Sequence, residues 1–366
     1  LAEEQAVGGK GPRPFILSFP SSKALLIRLP NVGVMVFELL FNAGLLIAGA
    51  AFLLKGADWV TDSAAHVAER FHTTSVAVGL ILVSIMLSLP ELIVAGSAVL
   101  KDHPQIGLGT ILGSVIINVG LVVGLCSMIR PLRVSRVMLL RDLVFMMVAT
   151  IIVAAMALKD GQLDRVDGAV FLLLFVPYLI NVYQQEKLLG KKEAKKEGEQ
   201  LVHTLRFFGK ITGGVVKLHD GVWVFILGGL GLIIGAQLFT DGLIYVAGAF
   251  QIPDLVIGVT LGALGPSLPN LAAAVQATRR GLEELAVSET IGSNIFTLLV
   301  SIGAFAIVQP VVLEASSRAI TLPALLLITF LFMGFTIKGR VTKAEGAVLL
   351  LVYLGALAAE LLYGFG

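Results

Sequence analysis

Two short runs in this 366-residue chain carry the residue types that a cation needs. The first is Ser88-Leu89-Pro90-Glu91, followed downstream by Ser114 and Asn118. The second is Ser267-Leu268-Pro269-Asn270, followed by Ser293 and Thr297. The step from Ser88 to Ser114 and from Ser267 to Ser293 is the same 26 residues, with no gap. A proline inside a helix removes a backbone donor and crowds the preceding turn, so Pro90 and Pro269 are expected helix breaks. Freed carbonyls beside hydroxyl, amide and carboxyl oxygens make the ligand set of a hard cation. A kink that only shapes packing is the competing reading of either run alone; its recurrence in register weighs against it.

The residues that follow each run extend the pattern. Thr110, Ser114 and Asn118 are spaced by four, as are Glu289, Ser293 and Thr297. On a helix that spacing draws a polar stripe down one face. Hydroxyls in membrane helices also bond backbone or hold helices together, so no single member is decisive. Glu91 is the principal candidate and the expected metal ligand, able to take a cation or a proton. A charged side chain at bilayer depth costs about 2.5–3.5 kcal/mol on insertion scales, so it needs a partner or a proton. The alternative is a permanently protonated acid bonded to a neighbouring helix. Glu289 has two readings in balance: a second charge turned into the site, or a solvated acid at a span end beside Glu283 and Glu284.

These residues lie in a chain made for lipid. It is 57% hydrophobic and 14% charged, with 40 glycines, against roughly 45–50% and about 25% in soluble domains. A span takes about 20 apolar residues. Candidates fall near 33–54, 74–100, 105–128, 137–158 and 166–185, then 221–249, 254–278, 285–309, 319–337 and 344–363. The expected fold is therefore an all-α polytopic membrane protein of ten helices in two sets of five. The parts are an N-terminal surface segment (1–31), a first repeat (32–186), a hydrophilic linker (187–219) and a second repeat (220–366).

Lysines and arginines set orientation. Lys191, Lys192, Lys195, Lys196, Arg206 and Lys210 place the linker on the cytoplasmic side, and both termini then lie opposite. An odd number of spans in each half turns the second half upside down, the inverted-repeat plan of many secondary transporters. The basic linker answers to topology and anionic lipid, not to nucleic acid. Asp58 and Asp241 read as structural acids, and Asp142 as the partner of Arg141. Cys126, alone in the chain, reads as a small buried apolar residue. His66, His72, His103, His203 and His219 do not cluster as metal ligands. No Walker, dinucleotide or nucleophile motif sits in a fitting context, so an enzyme is not expected and no cofactor is called for.

Segments 75–120 and 254–303 resemble the two α-repeats of the calcium/cation antiporter superfamily, in its sodium/calcium exchanger branch. The resemblance rests on Lys55-Gly56-Ala57-Asp58, on Ser-Leu-Pro-Glu at 88–91 and on Gly292-Ser293-Asn294-Ile295-Phe296. It implies ten helices, with the second, third, seventh and eighth enclosing cation sites at mid-membrane. The family site would fall on Ser88, Glu91, Ser114 and Asn118 in the first repeat, and on Ser267, Asn270, Ser293 and Thr297 in the second.

The chain also departs from that pattern. Asn270 stands where the family has Glu, Thr297 where it has an acid or amide, and Leu87 and Pro266 where it has Thr. Thr110 and Glu289 replace the asparagine of a Gly-Asn pair. The implied activity is secondary active antiport of calcium, sodium or protons by alternating access, with cations as the transported ligands and lipid as the other partner. Two readings stay open beside it: an exchanger of monovalent cations and protons, and a transport-inactive relative serving as a membrane scaffold or complex subunit.

Overall fold

A computed structural model describes residues 32–70, 76–188 and 222–364. The N-terminal segment, nearly all of the linker, and His72, His203 and His219 lie outside the described residues. Ten long helices account for almost all of the rest: α1 Val32–Arg70, α2 Val76–Leu100, α3 Pro104–Ile129, α4 Arg136–Asp160, α5 Arg165–Leu188, α6 Val222–Ala249, α7 Asp254–Arg279, α8 Glu283–Val308, α9 Ser317–Thr336 and α10 Lys343–Gly364. At about 1.5 Å per residue, even the 20 residues of α9 reach the roughly 30 Å of a bilayer core. The ten-span, two-repeat membrane fold read from the sequence is therefore present, with ends displaced by only a few residues except at α1, which runs on to Arg70.

Two short β-bridges tie the repeats together and define the two faces of the bundle. Leu132–Arg133 (β1), between α3 and α4, pairs antiparallel with Arg340–Val341 (β4), between α9 and α10. Gln162–Leu163 (β2), between α4 and α5, pairs with Val311–Val312 (β3), between α8 and α9. Counting spans from these bridges, α2 runs from the β1–β4 face to the β2–β3 face and α7 runs the other way. The halves are inverted, as the odd span count requires.

The outer surface is apolar, and the interior holds buried polar side chains among a larger set of apolar ones. Every residue of α3 from Ile106 to Ile117 is buried, whereas Phe37, Leu40, Trp223, Phe330 and Leu351 on the outer helices are exposed. Lipid is as apolar as leucine, so burial of oily surface does not drive the helices together; close packing of small residues does. The α3–α7 crossing shows it. A Cβ added at Gly109 would stand 2.7 Å from the carbonyl oxygen of Leu255, and one at Gly258 would stand 2.6 Å from that of Ile106. Gly109→Val should force this crossing apart. Overpacking of this kind costs roughly 1–3 kcal/mol, and thermal unfolding in detergent should show it as a lowered midpoint.

One expectation is corrected. Pro90 and Pro269 do not break their helices: α2 and α7 run on through them, as α7 also does through Pro266. The lost amide leaves a carbonyl without its helical partner, and helical geometry continues on either side of it. The backbone departs from α-geometry elsewhere, in π-helical turns at Asn118–Val123 in α3, Gly258–Gly262 in α7 and Thr297–Ser301 in α8. Two of these begin at Asn118 and Thr297, the last residues of the two polar stripes.

Candidate cation site

The proline runs and the stripes converge where α2, α3, α7 and α8 cross. Ser88, Ser114, Asn118, Ser267, Asn270, Ser293, Thr297 and Glu91 are each at most 1% exposed, and Glu289 is 3%. Serine and asparagine are short, so the bonds among them require backbones brought close by the glycine crossings. Ser88 Oγ lies 2.5 Å from Ser293 Oγ, joining α2 to α8. Ser267 Oγ donates to Glu91 Oε1 and is also 3.2 Å from Ser114 Oγ, joining α7 to α2 and α3. Asn270 Nδ2 donates to Glu91 Oε1 and to Ser293 Oγ, each at 3.2 Å.

One oxygen of Glu91 is thus held by two donors, while Oε2 has no hydrogen-bond partner among the described residues. The same is true of Asn118 Oδ1, Asn270 Oδ1, Thr297 Oγ1 and both carboxyl oxygens of Glu289. Buried polar atoms are nearly always paired, so these unpaired oxygens on the four crossing helices call for a chemical reason. Among the described residues, neither Glu91 nor Glu289 makes an ion pair with a basic side chain.

Glu289 is not a solvated acid at a helix end. It lies in α8 one turn before Ser293 and is buried inside the bundle. Of its neighbours in sequence, Glu284 is exposed, while Glu283 is buried and pairs with Arg130 at 2.5 Å. Thr110 is buried with its hydroxyl unpaired, on the face of α3 that meets α7, where it stands beside Gly262.

The sequence reading passed over Asn294. Its Oδ1 accepts from Asn118 Nδ2 at 3.0 Å, and its Nδ2 reaches the carbonyl of Val115 at 3.4 Å, tying α8 to α3. The corresponding position of the first repeat is Val115, so matching the two copies could not reveal it. A buried amide next to Ser293 in an otherwise apolar run was the available signal. Two other acids are paired: Asp241 with Lys101, and Asp142, as expected, with Arg141 at 2.7 Å. His103 Nδ1 pairs with Asp254 at 2.7 Å, and Cys126 is buried.

Comparison with known proteins agrees with this geometry. The sequence pattern of the sodium/calcium exchanger protein family matches residues 41–184 and 221–362, one stretch in each repeat. The sodium/calcium exchanger MaX1 of Methanosarcina acetivorans is 28% identical over 344 residues, covering 86% of this chain and 97% of that protein. The inner membrane protein YrbG of Escherichia coli is 32% identical over 303 residues, covering 80% and 88%. A solved structure of the sodium-calcium exchanger NCX_Mj, soaked without sodium or calcium, superposes with a TM-score of 0.59 at 26% identity, covering 88% of this chain and 99% of that one. A buried cluster of oxygens at the crossing of two inverted repeats, together with a family pattern that spans both, makes this chain a member of the sodium/calcium exchanger family.

Proposed function

We propose that this protein is a secondary active cation antiporter that carries calcium against sodium or protons through the α2–α3–α7–α8 site. Glu91 is the principal ligand. Ser88, Ser114, Asn118, Ser267, Asn270, Ser293 and Thr297 supply neutral oxygens, and Glu289 supplies the second negative charge. The observation that carries the reading is the pair of buried, unneutralised carboxylates in the midst of unpaired oxygens. Each charged acid costs several kcal/mol to hold in an apolar interior, and a cation bound between them offsets that cost. In its absence protons do, which lets one site exchange the two.

The mechanism follows from the inversion. The site lies between equivalent halves that face opposite ways, so rocking one against the other opens it first to one side and then to the other. The site residues are almost fully buried, as in an occluded intermediate of that cycle. The linker is assigned to the cytoplasm on its lysines and arginines, which puts the β1–β4 face inside and the β2–β3 face outside. The domain division is that of the sequence: a surface segment to 31, repeats at 32–186 and 220–366, and the linker between them.

Calcium affinity rises with ligand charge, and the family's second glutamate is Asn270 here. A monovalent exchanger is accordingly the second reading, supported by that substitution and by Thr297. Glu289 decides between them. In proteoliposomes, Glu289→Gln should lower calcium uptake driven by a sodium gradient about tenfold or more while sodium–proton exchange persists. Calcium uptake unchanged by Glu289→Gln would remove this acid from the site. Sodium movement with no calcium movement in the unsubstituted protein would select the monovalent reading. Vesicles that behave like protein-free ones with either cation would leave a scaffold.

A further inference from the structure

A further carboxylate is buried in the bundle outside the four crossing helices. Glu360, near the β2–β3 end of α10, is 1% exposed. Thr321 of α9 donates to its Oε1, while Oε2 has no partner among the described residues. Thr321 closes the π-helical turn Ser317–Thr321, against which α10 packs. Ser317, on the same face one turn earlier, is fully buried with its hydroxyl unpaired. Such turns recur at functional sites. Glu360, Thr321 and Tyr353 line a cavity of about 10 Å³ that reaches Gly113, the residue next to Ser114. That volume is about what one water molecule or one bare monatomic ion requires.

The first repeat shows what a purely structural acid looks like at the equivalent helix pair. Its π-helical turn, Leu139–Leu143 of α4, holds Asp142, which is 2% exposed. Asp142 takes two bonds of 2.7 Å from Arg141 and one of 3.4 Å from Tyr178 of α5. A guanidinium neutralises it. Glu360 has no such neighbour among the described residues. Arg318, the base in its π-helical turn, is exposed and lies by Gly161. The charged groups that face this corner are Glu314, ahead of α9, and beyond it Asp254 at the start of α7, already paired with His103. Burial and Asp254 hold the Glu314 carboxyl above its ordinary range. The residues of α3 and α7 that line the cavity carry no charge.

We propose that Glu360, with the hydroxyl of Thr321, forms a second cation site between α9 and α10 that takes one monovalent charge. One carboxylate balances one positive charge, and a divalent ion would leave a net charge in apolar surroundings. The small cavity excludes a hydrated ion. The occupant is a bare alkali ion of the sodium class or a proton. It does not depend on what the central site carries.

The test uses the purified full chain in detergent, with Glu91→Gln silencing the central site. Thermal unfolding is compared in sodium chloride and in choline chloride at equal ionic strength, at neutral and mildly acidic pH. A saturable rise in sodium that is lost in Glu91→Gln/Glu360→Gln establishes an alkali-ion site. No sodium effect, but a one-proton difference in pH dependence between the two proteins, establishes a proton site. If neither sodium nor pH distinguishes them, the proposal is overturned. Should the double variant fail to remain monodisperse, Glu91→Gln/Thr321→Val takes its place. That variant should weaken the sodium response or shift the pH midpoint, and an unchanged response to both overturns the proposal. With the central site silenced throughout, failure of calcium exchange would leave this result standing.

Discussion

Glu91→Gln is expected to bring gradient-driven cation uptake in proteoliposomes down to the level of protein-free vesicles, in a protein that still folds. Glutamine keeps the shape of the side chain, and its amide oxygen can still accept from Ser267 and Asn270, the two donors that hold Oε1 in the native protein. What disappears is the negative charge. Removing one partner from a buried charge pair costs about 3–5 kcal/mol, which at 1.4 kcal/mol per decade is a loss of cation affinity of at least about 100-fold. Thermal unfolding should move little, because an uncompensated buried acid has also been removed. Uptake retained at near the native rate would mean that Glu91 is a protonated structural acid. The cation path would then have to run elsewhere.

The second large effect is expected from Asn270→Glu, which restores the family's acid opposite Glu91. Asn270 Nδ2 is 3.2 Å from Glu91 Oε1, so two carboxylates would face each other at near contact. Like charges at that distance cannot both ionise without a cation between them. The variant should therefore unfold at lower temperature in chelator than the native protein, and regain stability as calcium is added. Occupancy at 100 times the dissociation constant stabilises by about 2.7 kcal/mol. The added charged ligand should also tighten calcium binding about tenfold or more, at the expense of monovalent cations. A variant whose unfolding ignores calcium would show that position 270 does not face the ion. The departure at Asn270 would then say nothing about selectivity.

Much of this protein was legible in its residues because a bilayer imposes few solutions. Backbone groups in lipid must be paired within the segment, so long apolar runs become helices. Their number, the duplicated Ser-Leu-Pro runs and the fourfold spacing of the stripes then specify inverted repeats and the face of each helix that turns inward. Ser88, Glu91, Ser114, Ser267, Asn270 and Ser293 could be assembled on that basis, and they meet through direct hydrogen bonds.

Other features were decided only by packing. Spacing along one helix cannot say whether Glu289 lies in solvent or in the bundle; that depends on how far α8 is inserted against its neighbours. Continuity of α2 and α7 through their prolines was likewise not written in the runs themselves, because an interior proline can either bend a helix or end it. Asn294 has no twin in the first repeat, and Glu360 meets Thr321 only where α9 and α10 touch. The sequence by itself determined the membrane fold, its inversion and most of the polar residues that meet at the crossing, since these follow from local pairing rules and periodicity. The tertiary structure decided which acids are neutralised by a neighbour and which are not, since charge compensation depends on contacts between segments far apart in the chain.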